Sequence, residues 1–244
     1  MIELTNLKKR FGRILAVDGL NLSVAPGEIF GFIGPNGAGK TTTIRIMGGV
    51  LAPTEGTILI DGIDMVREPE EAKRRIGFIP DRPFLYEKLT GWEFLKFSAD
   101  LYGVPEDGFF EKGAELLRMF SLGEWADGLV ESYSHGMKQR LIIAAALLHD
   151  PTVIIVDEPM VGLDPMGIRL VKGLLRDQAR AGKTIFMSTH SLGVAEDLCD
   201  RIGVIYRGVL IAAGTTNDLK RTAGFKAADL EEVFLKLMEQ QVPA

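Results

Sequence analysis

Apolar residues along this chain recur at two different spacings, and the two spacings alternate for most of its length. Short apolar runs such as EIFGFIG, GTILIDG and TVIIVDEP predict buried strands, because turn residues or acids bound each run. Segments such as KTTTIRIMGGVL and GIRLVKGLLRDQARAG have apolar residues three or four positions apart and predict helices. Strands that alternate with helices indicate an α/β fold with a largely parallel sheet.

Two regions depart from that alternation. IELTNLKKRF and NLSVAPG predict antiparallel strands near the N-terminus, and RIGVIYRG with VLIAAG predicts a closing hairpin around Arg207 and Gly208. From about residue 85 to 150 strand signals fade and three helical segments follow one another. The first begins at TGWE, where Thr90 and Glu93 have the spacing of a capping box. We therefore expect an antiparallel β subdomain and a helical subdomain inserted into the α/β core.

The length and composition favour one large globular domain. The chain has 244 residues, of which 46% are hydrophobic and 25% are charged, so it can bury a sizeable core. We predict a single domain over residues 1–220 and a short helical tail over 221–244, which contains DLEEVFLKLMEQ. A net charge of −5 argues against a broad basic surface. We therefore expect no nucleic-acid partner.

The apolar segments are short for a membrane protein. MIELTNLKKRFG lacks the apolar core of a signal peptide, and the longest apolar run, Leu141–Leu148, is far below the roughly 20 residues that span a bilayer. Cys199 is the only cysteine, so an intramolecular disulfide is excluded. We expect a soluble chain whose membrane role, if it has one, comes through a partner.

Residues 34–42, GPNGAGKTT, match the phosphate-loop pattern G-x-x-x-x-G-K-[ST] between a predicted strand and a predicted helix. Glycines let the backbone curl so that N–H groups point inward, and the helix directs its positive end at the phosphates. Lys40 supplies charge for the β- and γ-phosphates, and the Thr41 hydroxyl can bind Mg²⁺. The predicted nucleotide contacts in this loop are Gly34, Pro35, Asn36, Gly37, Ala38, Gly39, Lys40, Thr41 and Thr42. The loop therefore predicts a nucleoside triphosphate bound with Mg²⁺.

Two acids and a histidine follow predicted strands. VIIVDEP places Asp157 and Glu158 at the carboxyl end of a buried strand, where parallel sheets bind ligands. We expect Asp157 to be a second Mg²⁺ partner and Glu158 to polarise a water as general base. His190 ends the strand KTIFMSTH, where a neutral imidazole can hydrogen-bond the γ-phosphate or orient the water and Glu158. A lone histidine is more often structural, and His149 is interpreted as a surface or helix-end residue.

These pieces, in this order, resemble the ATP-binding subunit of an ABC transporter, over about Ile2 to Gly214. GPNGAGKT looks like the Walker A loop, VIIVDE like the Walker B strand, GLDP (residues 162–165) like the D-loop and His190 like the switch histidine. YSHGMKQR, residues 133–140, resembles the family signature. That signature separates the family from kinases and GTPases, which also have a phosphate loop.

The resemblance implies ATP as the nucleotide and two domains that face each other. Each ATP would lie between the Walker A loop of one subunit and the signature of the other, so Ser134, Gly136 and Asp164 count among the implied nucleotide-binding residues. Ser134 can also cap the helix that follows it. Phe11 matches the aromatic residue that stacks on adenine, with Val17 nearby, although a phenylalanine is more often a core residue.

Two departures from the family pattern bear on the site. Asp81 stands where the family usually has a glutamine that touches Mg²⁺ or its water; a carboxylate can still reach Mg²⁺ through water, but it is shorter and charged. The signature has His135 in place of the usual glycine and Met137 in place of the usual glutamine. The His135 side chain could crowd the opposing nucleotide or face away. Because Ser134 and Gly136 remain, we expect a working site with slower turnover.

The resemblance thus implies an ATPase that dimerises around two ATP, as a homodimer or heterodimer. It would drive a separate membrane-spanning subunit from the cytoplasmic face of the membrane. GLDP, GMKQR and LEEVFLKL resemble the exporter-type subfamily. One alternative is a soluble ABC-type ATPase acting on ribosomes or DNA, although such relatives usually carry long insertions or two ATPase domains. Another is a non-hydrolysing scaffold gated by ATP, which the departures at Asp81 and His135 motivate.

Overall fold

The computed structural model describes residues 1–82, 84–225 and 229–240. The strands are β1 (Ile2–Phe11), β2 (Ile14–Val24), β3 (Ile29–Ile33), β4 (Glu55–Ile60), β5 (Ile63–Asp64), β6 (Ile76–Ile79), β7 (Val153–Asp157), β8 (Thr184–Thr189), β9 (Arg201–Tyr206) and β10 (Val209–Gly214). The α-helices are α1 (Lys40–Met47), α2 (Pro69–Arg74), α3 (Gly91–Tyr102), α4 (Glu106–Met119), α5 (His135–Leu147), α6 (Pro165–Arg180), α7 (Leu192–Leu198), α8 (Thr216–Ala223) and α9 (Leu230–Glu239). Every helix within these ranges is too short or too polar to cross a bilayer.

The strands form two sheets. An antiparallel sheet has the order β2-β1-β4-β5, and a six-stranded sheet has the order β10-β9-β3-β8-β7-β6. Within the larger sheet only β10 pairs in the antiparallel direction. The predicted α/β fold with a parallel core sheet and an antiparallel β subdomain is therefore confirmed.

Apolar side chains cover both faces of the central strands, which explains their unbroken apolar runs. Strands β3, β7 and β8 are buried along their whole length. In β7, Ile154 and Val156 pack into a cluster with the helical region, whereas Val153 and Ile155 pack into a cluster with α1 and the antiparallel sheet. The same central strands are therefore supported from both sides, and their carboxyl ends are held in fixed positions.

The helical region lies between β6 and β7, as the sequence predicts. Helix α3 begins at a capping box, in which Thr90 accepts from the Glu93 amide at 3.1 Å and Glu93 accepts from the Thr90 amide at 2.8 Å. Helices α3, α4 and α5 pack on one another through residues such as Phe94, Leu117 and Leu141.

The C-terminal part of the chain packs on the core. Leu230, Val233 and Leu237 of α9 are buried with Ile33 and Ile202. Of the predicted tail, residues 226–228 and 241–244 lie outside the described residues. A domain boundary near residue 220 therefore stays a prediction.

Some elements differ from the sequence-based expectations. Helix α1 ends at Met47, although the helical pattern runs on, because Gly48 and Gly49 follow and Gly49 has a left-handed φ of 65°. Strand β2 begins at Ile14 and is longer than NLSVAPG. Helices α7 and α8 were not predicted; α8 has a capping box in which Asp218 replaces the usual glutamate.

Candidate nucleotide site

The carboxyl ends of β3, β7 and β8 meet at one edge of the six-stranded sheet, and a cavity of about 340 Å³ opens there. It is lined by Ala16 and by residues predicted from the sequence: Asn36, Gly37, Ala38, Gly39, Lys40, Thr41, Thr42, Asp81, Asp157, Glu158 and His190. Segments distant in the chain are therefore brought together at one place.

Close backbone contacts fix the phosphate loop. A Cβ built at Gly39, which has a φ of 110°, would lie 2.5 Å from the carbonyl oxygen of Ala16, and one built at Gly34 would overlap the carbonyl oxygen of Ile205. Glycine is thus required at both positions for packing, in addition to any approach of a phosphate. Gly34 and Pro35 do not line the cavity directly, but their carbonyl oxygens hold the side chain of Lys40.

Lys40 is the first residue of α1, and its side chain is folded back over the loop. Its Nζ donates to Gly34 O at 2.7 Å and to Pro35 O at 3.2 Å, and only 8% of the residue is exposed. Burial lowers the pKa of Lys40, while the carboxylates of Glu158 and Asp157 act in the opposite direction. The ammonium group is thus held close to the phosphate position by weak neutral acceptors.

Asp157 ends β7 in a position that is 2% exposed. The hydroxyl of Ser188, its partner in register on β8, donates a hydrogen bond to Asp157 Oδ1. This bond fixes the orientation of the carboxylate in the cavity, as hydrogen bonds to metal-binding carboxylates do.

Glu158 follows in a left-handed backbone conformation with a φ of 53°. This conformation is costly for a residue with a side chain and is often found at functional sites. The Glu158 amide donates to Ser188 O at 3.2 Å. The turn changes the direction of the chain directly after the strand, so the carboxylates of Asp157 and Glu158 serve different parts of the cavity.

His190 lies beside Glu158. The His190 Nδ1 atom is 2.9 Å from Glu158 Oε1, and 66% of the His190 side chain is exposed, against 18% for Glu158. This exposure argues against a buried structural histidine. The imidazole lies within hydrogen-bond distance of Glu158, and both roles predicted for His190 stay predictions.

The oxygen atoms in the cavity fit a magnesium ion that is bound together with phosphates. Thr41, Asp157 and Asp81 contribute a hydroxyl and two carboxylates to the same lining, and Mg²⁺ prefers such oxygen ligands. Within residues 1–82, 84–225 and 229–240, no three His, Cys, Asp or Glu side chains are grouped to hold a metal ion. Mg²⁺ is usually held by one or two carboxylates with phosphate and water oxygens, which this site can accommodate.

The two residues expected near the adenine differ in exposure. Phe11 ends β1 with 46% of its surface exposed, and Lys9 Nζ lies 5.1 Å from its ring centroid, so it is not a core residue. Val17 is fully buried in the core, whereas its neighbour Ala16 lines the cavity. Successive side chains of a strand point in opposite directions, which explains why Ala16 and not Val17 faces the cavity. A contact of Val17 with the nucleotide stays a prediction.

The signature residues lie away from this cavity. Ser134, Gly136 and Asp164 are absent from its lining in the described part of the chain. Ser134 caps α5 by accepting from the Met137 amide at 3.2 Å, as predicted, and Asp164 caps α6 by accepting from the Gly167 amide at 2.8 Å. One chain therefore does not bring these three residues to its own phosphate loop.

The His135 side chain turns toward its own chain. A Cβ built at Gly162, which has a φ of 77°, would overlap the imidazole ring of His135. Of the two directions that the sequence left open, the structure shows the ring against the GLDP segment.

The sequence reading missed two features of the site. The first is Ser188, whose hydroxyl orients Asp157. Ser188 could have been found from the sequence, because it lies two residues before His190 on a strand predicted to run parallel to that of Asp157. The tip of the β9–β10 hairpin supports the phosphate loop: Gly208 donates to Ala38 O at 2.9 Å and accepts from the Asp18 amide at 2.8 Å. No local pattern signals this second contact, which depends on the packing of three distant segments.

His149 was also interpreted only in part. It follows α5, as a helix-end residue does, but it is half-buried and stacks on Tyr102 with ring centroids 3.7 Å apart and an interplanar angle of 8°. Its Nε2 lies 3.0 Å from Ile76 O. His149 thus joins the end of α3 to the core strand β6.

Comparison with known proteins agrees with this geometry. The family model described as ABC transporter matches residues 17–161. The linearmycin resistance ATP-binding protein of Bacillus subtilis is 39% identical over 90% of this chain and 70% of its own length. A probable multidrug ABC transporter ATP-binding protein of Escherichia coli is 38% identical over 98% of this chain, which spans only 42% of that relative.

Solved structures are similar over nearly the whole chain. A structure titled as the ATP-binding subunit of an ABC transporter has a TM-score of 0.93 and 35% identity, covering 98% of this chain and 99% of the other. A dimeric ATP-binding cassette in a post-hydrolysis state, bound to ADP and phosphate, has a TM-score of 0.80 and 29% identity, covering 88% and 98%. The chain therefore belongs to the ABC transporter family, as one of its ATP-binding and ATP-hydrolysing subunits.

Proposed function

We propose that this chain couples ATP hydrolysis to a separate membrane-spanning subunit, and that it does so as a dimer with two ATP molecules between the subunits. The observation that carries the proposal is the cavity that joins the phosphate loop to Asp157, Glu158 and His190 while the signature residues lie outside it. Such a site contains the groups for hydrolysis but lacks one of its phosphate-binding walls.

In the proposed reaction, Lys40 exchanges the carbonyl oxygens of Gly34 and Pro35 for the β- and γ-phosphates. Thr41 and Asp157 would hold Mg²⁺, and Asp81, in the same lining, would support the ion through a water molecule. The metal, when bound, neutralises charge on the phosphate oxygens.

The proton of the attacking water is handled by Glu158 and His190. Glu158 accepts that proton as general base. His190 keeps the Glu158 carboxylate in place, which is supported by the 2.9 Å separation of their side chains. Phe11 stacks on the adenine, for which its exposed ring is suited.

The missing wall is supplied by a second ATP-binding subunit. Ser134 is exposed at the start of α5, where amide groups and the positive end of the helix can meet a phosphate. Gly136 and Asp164 would approach the same nucleotide from the partner. The arrangement is compatible with a homodimer or with a heterodimer of related subunits.

The membrane-spanning subunit would bind next to the cavity, at the cytoplasmic face of the membrane. A groove of about 420 Å³ adjoins Asp81 and is lined by Arg45, Val50, Phe78 and Phe84 among others. Phe84 is 79% exposed, and its ring contacts that of Tyr86 at a centroid distance of 5.9 Å. Exposed aromatic side chains around a concavity favour a protein partner.

The transported compound would be a drug-like molecule moved out of the cell. The two relatives described above are named for linearmycin resistance and for multidrug transport. The membrane-spanning subunit would bind that compound, because the described residues of this chain include no helix long and apolar enough to cross a membrane.

Glu158→Gln tests the shared ATP site. The amide cannot accept the proton, so phosphate release should fall by about 100-fold or more, while ATP binding is retained. Size-exclusion chromatography should then show a dimer with ATP and a monomer with ADP. A variant that binds ATP but elutes only as a monomer would contradict the shared site.

Co-purification from native membranes tests the coupling partner. The tagged chain should recover a membrane-spanning protein together with two ATP-binding subunits, and the variant Phe84→Asp should lose it while hydrolysing ATP. The exposed Trp125 offers a matched control, because Trp125→Asp places the same charge away from the groove. Recovery of ribosomes or DNA instead would favour the alternative of a soluble ATPase.

A further inference from the structure

The start of the signature helix α5 packs against the GLDP segment of the same chain at two successive residues. The imidazole ring of His135 occupies the space that a side chain at Gly162 would need. A Cβ built at Gly136 would lie 3.3 Å from the carbonyl oxygen of Gly162. The left-handed φ of 77° at Gly162 presents its Cα to the ring. Both residues are exposed, so this is a surface contact in which the His135 ring leaves no room for a side chain at position 162.

Few residues separate this contact from the catalytic carboxylate. The Val161 amide donates to Glu158 O at 3.2 Å, and the Leu163 amide donates to Met160 O at 3.4 Å. Both bonds close tight turns between Glu158 and Leu163. Gly162 and Glu158 are therefore four positions apart in a segment whose residues all lie in hydrogen-bonded turns, so a displacement at Gly162 can reach the backbone of Glu158.

The segment is also held at its other end. Asp164 caps α6 through the Gly167 amide at 2.8 Å, and Leu163 and Met160 pack against the same core cluster as Met137 of α5. Gly162 lies between these fixed ends, at the place where the start of the signature helix meets the segment.

We propose that His135 is a positioning residue for hydrolysis: its ring holds the Glu158–Asp164 segment against the start of the signature helix, and so sets the position of Glu158 within the same chain. This proposal rests on the proposed role of Glu158 as general base. A glycine at 135, which the family usually has, could not fill the space beside Gly162. In this chain, movement of the signature helix on binding the opposite nucleotide would reach Glu158 directly.

A double-mutant cycle tests the contact. Gly162→Ala should reduce ATP turnover by about tenfold or more, because the new Cβ overlaps the His135 ring and because the left-handed conformation disfavours alanine. Adding His135→Gly removes the overlap, so turnover should rise at least threefold above that of Gly162→Ala alone. If the fold-change in turnover of the double variant equals the product of the two single fold-changes, the proposal is wrong.

Gly182→Ala is the matched control for backbone strain. Gly182 has a φ of 89°, and a Cβ built there meets nothing within 4 Å. Its effect on the melting temperature should be the same with and without His135→Gly. Melting curves of all variants show whether Gly162→Ala is folded. If it is not, the turnover of His135→Gly alone still tests the proposal.

His135→Gly alone should lower kcat for ATP hydrolysis about three- to tenfold, with KM for ATP changed less than twofold. In the Glu158→Gln background it should leave ATP-dependent dimer formation unchanged. A raised KM or weaker dimer at unchanged kcat would overturn the proposal, because His135 would then act on the nucleotide or the partner. Failure of the proposed function is distinct: the unaltered chain would release no phosphate above a Lys40→Ala control.

Discussion

The cavity at the phosphate loop and the start of the signature helix both contain predicted ATP contacts, but the chain presents them differently. In the cavity, Lys40 and Asp157 are buried, and backbone carbonyls or the Ser188 hydroxyl already hold their charged groups. At the signature, the Ser134 side chain is exposed, and among the described residues it accepts the hydrogen bond that caps α5. One half of the site is thus organised within a single chain, whereas the other half is directed outward, where a second subunit can use it.

The largest expected effect comes from removing the charge in the organised half. Lys40→Ala should reduce phosphate release by about 100-fold or more, because the loop loses the cation that stabilises the transferred phosphate. Lys8→Ala is the matched control, since Lys8 pairs with Glu55 at 2.9 Å on the antiparallel sheet, and should retain full turnover. Comparable loss in both variants would indicate a general effect of charge rather than a catalytic role of Lys40.

A smaller effect is expected from the bond that orients Asp157. Ser188→Ala removes the hydroxyl that donates to the carboxylate, so the Mg²⁺ concentration for half-maximal turnover should rise about tenfold, as for other residues that support metal ligands. A magnesium titration of ATP turnover measures this. Ser191→Ala, whose side chain makes no capping hydrogen bond, should leave the titration unchanged. An unchanged titration in Ser188→Ala would mean that Asp157 needs no such support.

His149 connects the core to the helical region that carries the signature. Burial lowers the pKa of His149 to about 4, from 6.5; the hydrogen bond to Ile76 O and the charge of Asp150 act in the opposite direction, and Lys183 acts in the same direction. Because the unfolded chain binds this proton first, stability should fall as the pH drops from 7 through 6.5 toward 4. At pH 4.5 the loss assigned to His149 is about 2 kcal/mol.

Urea denaturation at pH 7 and pH 4.5 measures this loss. His149→Phe keeps a ring against Tyr102 but cannot bind a proton, so its free energy of unfolding should fall less between the two pH values. The variant should itself be less stable at pH 7 by about 1 kcal/mol, because the bond to Ile76 O is lost. Equal pH dependence in His149→Phe and the unaltered chain would contradict the account.

The sequence predicts the organised half of the site better than it predicts its details. Residues 34–42, Asp157 and His190 could be placed together because a phosphate loop and the carboxyl ends of parallel strands obey strong local rules. That Ala16 rather than Val17 lines the cavity could not be predicted, because it depends on which face of β2 meets the loop. Strand β2 has register irregularities opposite β1 that no residue pattern specifies.

The direction of His135 also required the structure. A histidine at a helix start can point toward solvent, a ligand or a neighbouring loop, and only the left-handed Gly162 beside it selects the third. Helix α7 was missed because its seven residues have a short pattern, and α8 because its box uses Asp218 in place of glutamate. The direction of His135 thus depends on a residue far along the chain, whereas the two helices were missed because their sequence signals are weak.

Each ATP should lie between the phosphate loop of one subunit and the signature of the other. The most direct test mixes two inactive variants, Lys40→Ala and Gly136→Asp, at constant total protein and measures phosphate release. In a mixed dimer one site carries both substitutions and the other carries neither, so turnover should exceed that of either variant alone and be greatest at equal amounts. If each chain formed a complete site by itself, the mixture would stay at the background rate at every ratio.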